Sequence, residues 1–438
     1  MSPRRACPGL FRAYWREKEV WTRTFDDLYQ HLLLQAAAGS PLSPPPGADP
    51  AQLDCLLHPE RHPPVLTPGR CACGEGERPC AAACLFQAVV RGPDGQVTID
   101  PELCCGCGAC LEACRSGALT ASRDVLPALA AVKEARGPVY ALIAPAFLGQ
   151  FSPAVTPGRL RTAFRALGFT GMVEVALFAD LLTLKEALEF HRHVRTDGDF
   201  QLTSCCCPVW IAMVRRVYRQ LMPHVPGAVS PMVAAGRAVK ALHPDALTIF
   251  VGPCLAKKSE AREPDLAGAV DFVLTFQEVR DIFRAADLRP EELAETDRDH
   301  SSRCGRLYAR AGGVSEAVQA TVERLCPDRA IPVRARRADG VPACRAMLEE
   351  LLRGENRANF YEGMGCPGGC VGGPKAVLPP EQGRANVDRY GAGAPYATPL
   401  DNPYVLQVLR RLGFDTVEDF LARGELFNRR FSDPPGEG

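Results

Sequence analysis

The sequence predicts an α/β fold with a mainly parallel sheet, preceded by a small α+β block rich in cysteine, and three observations carry that prediction. Strand-like apolar runs alternate with helical ones from Gly137 onward. Helix start and stop signals fall where such an alternation needs them. Cysteines bunch at short spacings, first between Cys71 and Cys114 and then at three later points.

The alternation reads VYALIA then TPGRLRTAFRALG, MVEVALF then LLTLKEALEFHRHVR, TIFVG before KKSEAR, and DFVLT then FQEVRDIFRAADL. Strands separated by helices of this length pair in parallel. Thr156 before Pro157 makes an N-cap with proline at the first helical position, Gly168 marks a C-terminal stop, and Thr275 caps the helix after DFVL. Upstream, Leu10 to Ala37 reads as one helical stretch and GSPLSPPPGADP as a semi-rigid linker. A chain of 438 residues holds two or three domains. The expected division is an N-terminal extension and linker over 1–66, a cysteine-organised domain over 67–125 and the α/β domain over 135–438.

Fifty-one basic residues balance 51 acidic ones, which leaves no electrostatic case for nucleic acid or an anionic membrane as partner. No stretch approaches the ~18 apolar residues of a membrane span, and MSPRRACPGLFRAYWREKEVW lacks an uninterrupted apolar core of the secretory kind. A soluble cytoplasmic protein is expected. Twenty cysteines in so long a chain, bunched at short spacings, point to metal ligation rather than disulfides.

Cys104, Cys107, Cys110 and Cys114 stand in C-x2-C-x2-C-x3-C spacing, which lets three thiolates wrap one iron–sulfur cubane while the fourth reaches a neighbouring one. Cys71, Cys73, Cys80 and Cys84 form a second set whose tight first pair departs from the usual two-residue gap. Crossed ligation groups Cys71, Cys73 and Cys80 with Cys114, and Cys104, Cys107 and Cys110 with Cys84, for two 4Fe-4S clusters. Cys55 is a substitute ligand candidate. Paired cysteines also make zinc sites, but the third closely spaced cysteine exceeds what a zinc knuckle needs. Cys105 reads as a small core residue, and Cys7, Cys304, Cys326 and Cys344 show no ligand spacing.

Three further motifs each follow a strand-like segment: LTSCCCPVW with Cys205 to Cys207, VGPCLAKKSE with Cys254, and YEGMGCPGGCVGG with Cys366 and Cys370. Loops after parallel strands converge at one edge of a sheet. One cysteine from each of the first two loops plus the C-x3-C pair gives four thiolates, and Gly368, Gly369, Gly372 and Gly373 let backbone approach an inorganic core.

At these residues the chain resembles the catalytic domain of FeFe-hydrogenases, whose signatures are a TSCCP-x-W loop, a PC-x-x-K-x-x-E loop and an E-x-M-x-C-x-x-G-C-x-x-G-G loop. The resemblance runs from about Ala141 to the C-terminus and looks most like the group B subfamily. It implies that Cys207, Cys254 and Cys366 hold a 4Fe-4S cube and that Cys370 joins it to a diiron site bearing CO, cyanide and a bridging dithiolate, the H-cluster. Lys257 matches a lysine that donates to a cyanide, and Met364 an apolar neighbour of the diiron site. IAPAF resembles the first pocket-lining loop, placing Ala144, Pro145 and Ala146 against the diatomic ligands. Cys206 matches the proton-relay thiol, and Glu186 and Glu189 the two carboxylates behind it. Electrons would come from a soluble ferredoxin through the two 4Fe-4S clusters, and maturation factors would install the diiron site.

Several positions depart from the family pattern. The triplet TSCCCP leaves Cys205 and Cys206 competing for the relay role. By the resemblance, Pro226 stands where many relatives carry a relay serine, and Ala146 where many carry a serine that donates to a cyanide. The third signature ends in GGPK, and Gly252 replaces a pocket methionine. A hydrogen sensor, or a non-catalytic relative serving iron–sulfur assembly or electron transfer, are the alternatives to a reversible hydrogenase.

Overall fold

The computed structural model describes residues 24–73, 78–92, 95–203, 206–296, 300–422, 425–429 and 431. Cys7, Cys205 and the part of the expected first helix before Thr24 lie outside the described residues.

The cysteine-rich block is built from four short strands, β1 (Val65–Leu66), β2 (Val89–Arg91), β3 (Val97–Ile99) and β4 (Thr120–Ala121). β1 pairs antiparallel with β4, and β2 with β3, so Val65 and Leu66 join this block rather than the extension before it. Two one-turn helices, Pro79–Ala82 and Ala109–Ala113, pack against each other. The apolar core is small, with Val65, Val97, Leu119 and Ala121 joined by Cys80 and Cys110 and by Leu255 from the main domain. So little apolar mass leaves the block dependent on whatever its cysteines hold.

The main domain adds β5 (Val139–Ile143), β6 (Gly171–Glu174), β7 (Gln201–Leu202), β8 (Leu247–Gly252), β9 (Phe272–Thr275), β10 (Ala335–Asp339) and β11 (Phe360–Met364). They form two wholly parallel sheets, one in the order β6-β5-β8-β9 and the other β10-β11-β7. The helix punctuation is as expected. Thr156 accepts from Arg159 N ahead of Pro157, Gly168 takes φ +95° just past the helix Pro157–Ala166, and Thr275 forms a reciprocal capping box with Glu278.

Two expectations need correction. In MVEVALF the strand stops at Glu174, and VALF is the first turn of the helix Val175–His193. That helix is buried on nearly every face against three others, Pro231–Leu242, Arg303–Leu307 and Gly313–Leu325. Burial all round removes the 3.6-residue alternation that would have distinguished it from a strand. The single helix expected from Leu10 to Ala37 is interrupted at Thr24, which is extended and whose side chain accepts from Asp27 N at the start of Phe25–Ala37. Phe25–Ala37 packs on the helices Val125–Glu134 and Phe276–Ala285, burying Phe25, Leu28, Tyr29, Leu32 and Leu33.

The fully buried Trp210 ties the second sheet to the helix Pro208–Arg216. Its indole N–H donates to Thr203 O at 2.9 Å, and its ring lies flat over Gly363 of β11, where a Cβ would stand only 2.0–2.4 Å from ring atoms. Gly363→Ala should therefore lower the unfolding free energy by about 1–3 kcal/mol. A urea titration that leaves the midpoint unchanged would show that this contact has room to spare.

Candidate metal centres

The eighteen described cysteines are all free. Nine of them line two compact cavities in the cysteine-rich block. Cys71, Cys73, Cys80 and Cys114 surround one, and Cys84, Cys104, Cys107 and Cys110, with Cys105 beside them, surround the other. The grouping is the crossed one, with the last cysteine of each run facing the other run's cavity. Cys55 faces neither cavity and packs with Leu53 and Leu57 against the main core. Among the described residues no three histidine, cysteine or acidic side chains close on a single-ion geometry. A donor set of four thiols around an apolar space fits an iron–sulfur cubane.

The third cysteine set gathers where the two parallel sheets present the ends of their strands. Cys207 follows β7 and caps the helix Pro208–Arg216, whose N-terminal dipole favours negative charge. Cys254 lies two residues past β8, and Cys366 two past β11. Gly369 takes φ +87° with Met364 Sδ only 2.7 Å from where a Cβ would sit, which lets the chain turn back and bring Cys370 into the same space. Burial pushes the Cys254 thiol up to about 12, with Cys207 and Cys370 adding to it against Lys257. Burial also raises Cys370 to about 12, with Cys207 again a neighbour, and it raises Cys366, which feels Cys254, Cys207 and Cys370. Gly365 N donates to Cys207 Sγ at 3.2 Å. Cys254, Cys366 and Cys370, whose thiols are pushed up and repel one another, accept ionisation together only with a cation among them, and a cluster holding iron meets that condition.

This centre adjoins the second cysteine cavity. Cys366 also feels Cys107, and Cys84, Cys107, Cys207 and Cys254 border one apolar cluster. Leu255, beside Cys254, inserts into the small core of the cysteine-rich block.

Lys257 is buried, and its Nζ donates to Glu260 Oε2 at 2.7 Å, which Ser230 Oγ also approaches at 3.1 Å. Burial opposes the ammonium charge, yet Glu260, Cys254 and Cys370 outweigh it and hold the pKa above its ordinary value. The neighbouring Lys258 is equally buried but faces away, paired with Asp124 at 2.9 Å and Glu278 at 3.0 Å. Met364 ends β11 and is buried, as are Ala144 and Ala146 on either side of Pro145 in the turn after β5. A side chain at Gly252 would meet the Phe250 ring at 2.7 Å and Ala144 Cβ at 3.1 Å, so Phe250 fills the space beside this turn.

Cys206 is buried, and burial raises its thiol pKa with help from Cys207, Glu362, Cys370 and Glu186. Glu186 and Glu189 lie on one face of the helix Val175–His193 and both are buried, Glu189 in an ion pair with buried Lys185. Buried carboxylates are rare unless paired or functional, so the structure does not present these two as a solvated helix face. Pro226 is half-buried in the connection before Ser230.

Two carboxylates belong to the centre that the spacing left without a role. Glu260 engages Lys257, and Glu362 accepts from Gly312 N and Ser315 N, both at 2.8 Å, capping the helix Gly313–Leu325 while its charge reaches Cys206 and Cys370. Each is the glutamate of its own motif, and that position was the available signal.

Residues 137–374 match the family model for the C-terminal domain of the iron-only hydrogenase large subunit, and residues 97–120 match a 4Fe-4S binding domain. The chain is similar to iron hydrogenase 1 of Clostridium pasteurianum, 25% identical over 281 residues, covering 55% of this chain and 49% of that protein. It is also similar to cytosolic iron–sulfur assembly component 3 of Pongo abelii, 25% identical over 290 residues, 53% of this chain and 60% of the other. The chain thus spans only half to three fifths of the length of these relatives. A solved FeFe-hydrogenase, captured during stepwise H-cluster assembly, shares the fold at a TM-score of 0.59 with 22% identity, over 71% of this chain and 99% of that one. Among the described residues no helix is long and apolar enough to cross a membrane.

The crossed arrangement predicts that Cys114→Ala loses the same reduced-cluster EPR signal as Cys73→Ala, and Cys84→Ala the same one as Cys107→Ala. The opposite pairing would assign each run of four to its own cluster.

Proposed function

Since the chain belongs to the iron-only hydrogenase family, we propose that it interconverts protons and molecular hydrogen at an H-cluster held by Cys207, Cys254, Cys366 and Cys370. The observation that carries this reading is the gathering of four half-buried thiols, from loops of two sheets, beside one buried lysine. When bound, the group supplies the metal site at which two protons and two electrons combine; the protein holds it, shields it and feeds it.

Lys257 keeps its charge in the interior and, with one donor on Glu260, has two left for an anionic ligand. Glu260 fixes the direction of the ammonium. Ala144, Pro145, Ala146 and Met364 supply an apolar wall that excludes water. Cys206 holds a proton beside the site, and Glu186 stands behind it, close enough to perturb the thiol. Glu189, one turn further along the helix, passes protons inward with Lys185 as its counter-charge. Electrons enter through 4Fe-4S clusters in the two cysteine cavities, the second of which adjoins the centre. A soluble ferredoxin or similar carrier supplies them in the cytoplasm, and maturation factors install the diiron part.

Two observations favour a second reading, a cluster-carrying protein without turnover: the Lys185 pair holds Glu189 in place, and the chain is 25% identical to an iron–sulfur assembly component as well as to a hydrogenase.

Hydrogen evolution from reduced methyl viologen, using anaerobically purified protein carrying a reconstituted diiron site, separates the two. Turnover supports the hydrogenase, and an intact site without turnover supports the carrier or a slow sensor. Cys206→Ala should keep the iron content and cut turnover by about 10²-fold or more. Wild-type activity in that variant would move the relay to Cys205.

A further inference from the structure

Away from the cysteine centres, the edge of the first sheet borders an open groove of about 620 Å³, a volume within the range of small-molecule sites. Thr170 and all four residues of β6 line it. Successive side chains of a strand face opposite ways, so the groove runs along the backbone edge of β6, which pairs only with β5. One wall is a single face of the helix Pro403–Arg411, since Tyr404, Gln407, Val408 and Arg411 fall at i, i+3, i+4 and i+7. The other carries Arg161 and Arg165, one turn apart on the helix Pro157–Ala166. Its floor is apolar, with buried Met172 and, from the first turn of the helix Val175–His193, buried Leu177 and Phe178.

The two ends of the groove differ in chemistry. At the Glu174 end, buried Arg161 pairs with Glu174 at 3.4 Å, and the rings of His300 and Tyr404 meet edge to face at 4.5 Å. Glu174 is the one carboxylate of the lining among the described residues, and it is taken up by Arg161, by Ser301 Oγ at 3.2 Å and by Tyr390 Oη at 2.6 Å. Arg165 stands exposed one turn beyond Arg161, toward the start of β6, and Arg411 stands exposed about 10 Å along its helix from Tyr404. His243 joins the Gly171 end, its ring 5.6 Å from that of Tyr140, the residue paired with Gly171. The aromatic pair is thus separated from free cationic side chains by roughly the length of a nucleoside monophosphate. We propose that the groove binds a nucleoside phosphate, with its base against Tyr404 and His300 and its phosphate on Arg165 and Arg411. Guanidinium forks match phosphate oxygens, aromatic faces hold a base, and Gln407 with the backbone edge of β6 offers hydrogen bonds to the base's polar rim. No cysteine lines the groove among the described residues, so the site stands whether or not the cysteines hold iron.

The test is isothermal titration calorimetry of the full-length protein with AMP, GMP, CMP and UMP, and with inorganic phosphate for comparison. At least one nucleotide should bind saturably with a Kd of about 1 mM or below, and about tenfold or more tighter than phosphate. Arg165→Ala and Arg411→Ala, both at exposed positions, should each weaken that binding by about tenfold, the loss expected for a hydrogen bond to a charged group. Tyr404→Leu, which keeps an apolar side chain, should weaken the nucleotide and leave phosphate unchanged. Absence of saturable binding by all four nucleotides overturns the proposal, as does binding that both arginine variants retain. Phosphate held as tightly as nucleotide would mark an anion site alone, and uptake of poly-L-glutamate in place of nucleotide would mark a peptide groove; either result overturns it.

Discussion

Thiols crowded into one half-buried space repel one another as soon as more than one ionises. Burial, with Cys207 beside them, pushes Cys254 and Cys370 up to about 12. These groups come from different elements, Cys254 from the end of β8 in one sheet and Cys207, Cys366 and Cys370 from loops following β7 and β11 in the other. In the proposed holoprotein, iron converts that repulsion into cross-links between the two lobes. The same loop reaches a third part of the molecule through Leu255, which completes the small core of the cysteine-rich block. A segment of a few residues thus couples both sheets and the cysteine-rich block.

Charge elsewhere is arranged around this constraint. Lys257 and Lys258 are adjacent and both buried, yet one faces the thiols through Glu260 and the other anchors the domain through Asp124 and Glu278. Glu278 also closes the capping box on Thr275, so the anchor and the first turn of Phe276–Ala285 share a carboxylate. Glu362 plays the corresponding part in the second lobe, where it holds the start of Gly313–Leu325 against β11 at the point from which Cys366 and Cys370 depart.

The parallel sheets, the caps at Thr156 and Thr275 and the crossed cysteine sets were legible because each depends on local spacing. The start of Val175–His193 was not, since a helix buried on all sides carries no polar stripe to mark its period. Nor was the break at Thr24, where one capping side chain ends what composition would continue. The burial of Lys258 depends on Asp124, 134 residues away, a pairing that no short window shows. Glu260 and Glu362 sit within the motifs, but their roles depend on Ser230, Gly312 and Ser315, contacts that no short window contains.

The central claim is that Cys207, Cys254, Cys366 and Cys370 hold one composite iron centre. Infrared spectroscopy of the protein matured with hydrogenase assembly factors tests it most directly, because metal-bound CO and cyanide absorb where polypeptide does not. The account predicts such bands in the wild-type protein and their loss in Cys370→Ala, with the cysteine-rich block's clusters retained in both. Wild-type protein that takes up iron at the four cysteines yet shows no CO or cyanide bands would contradict it.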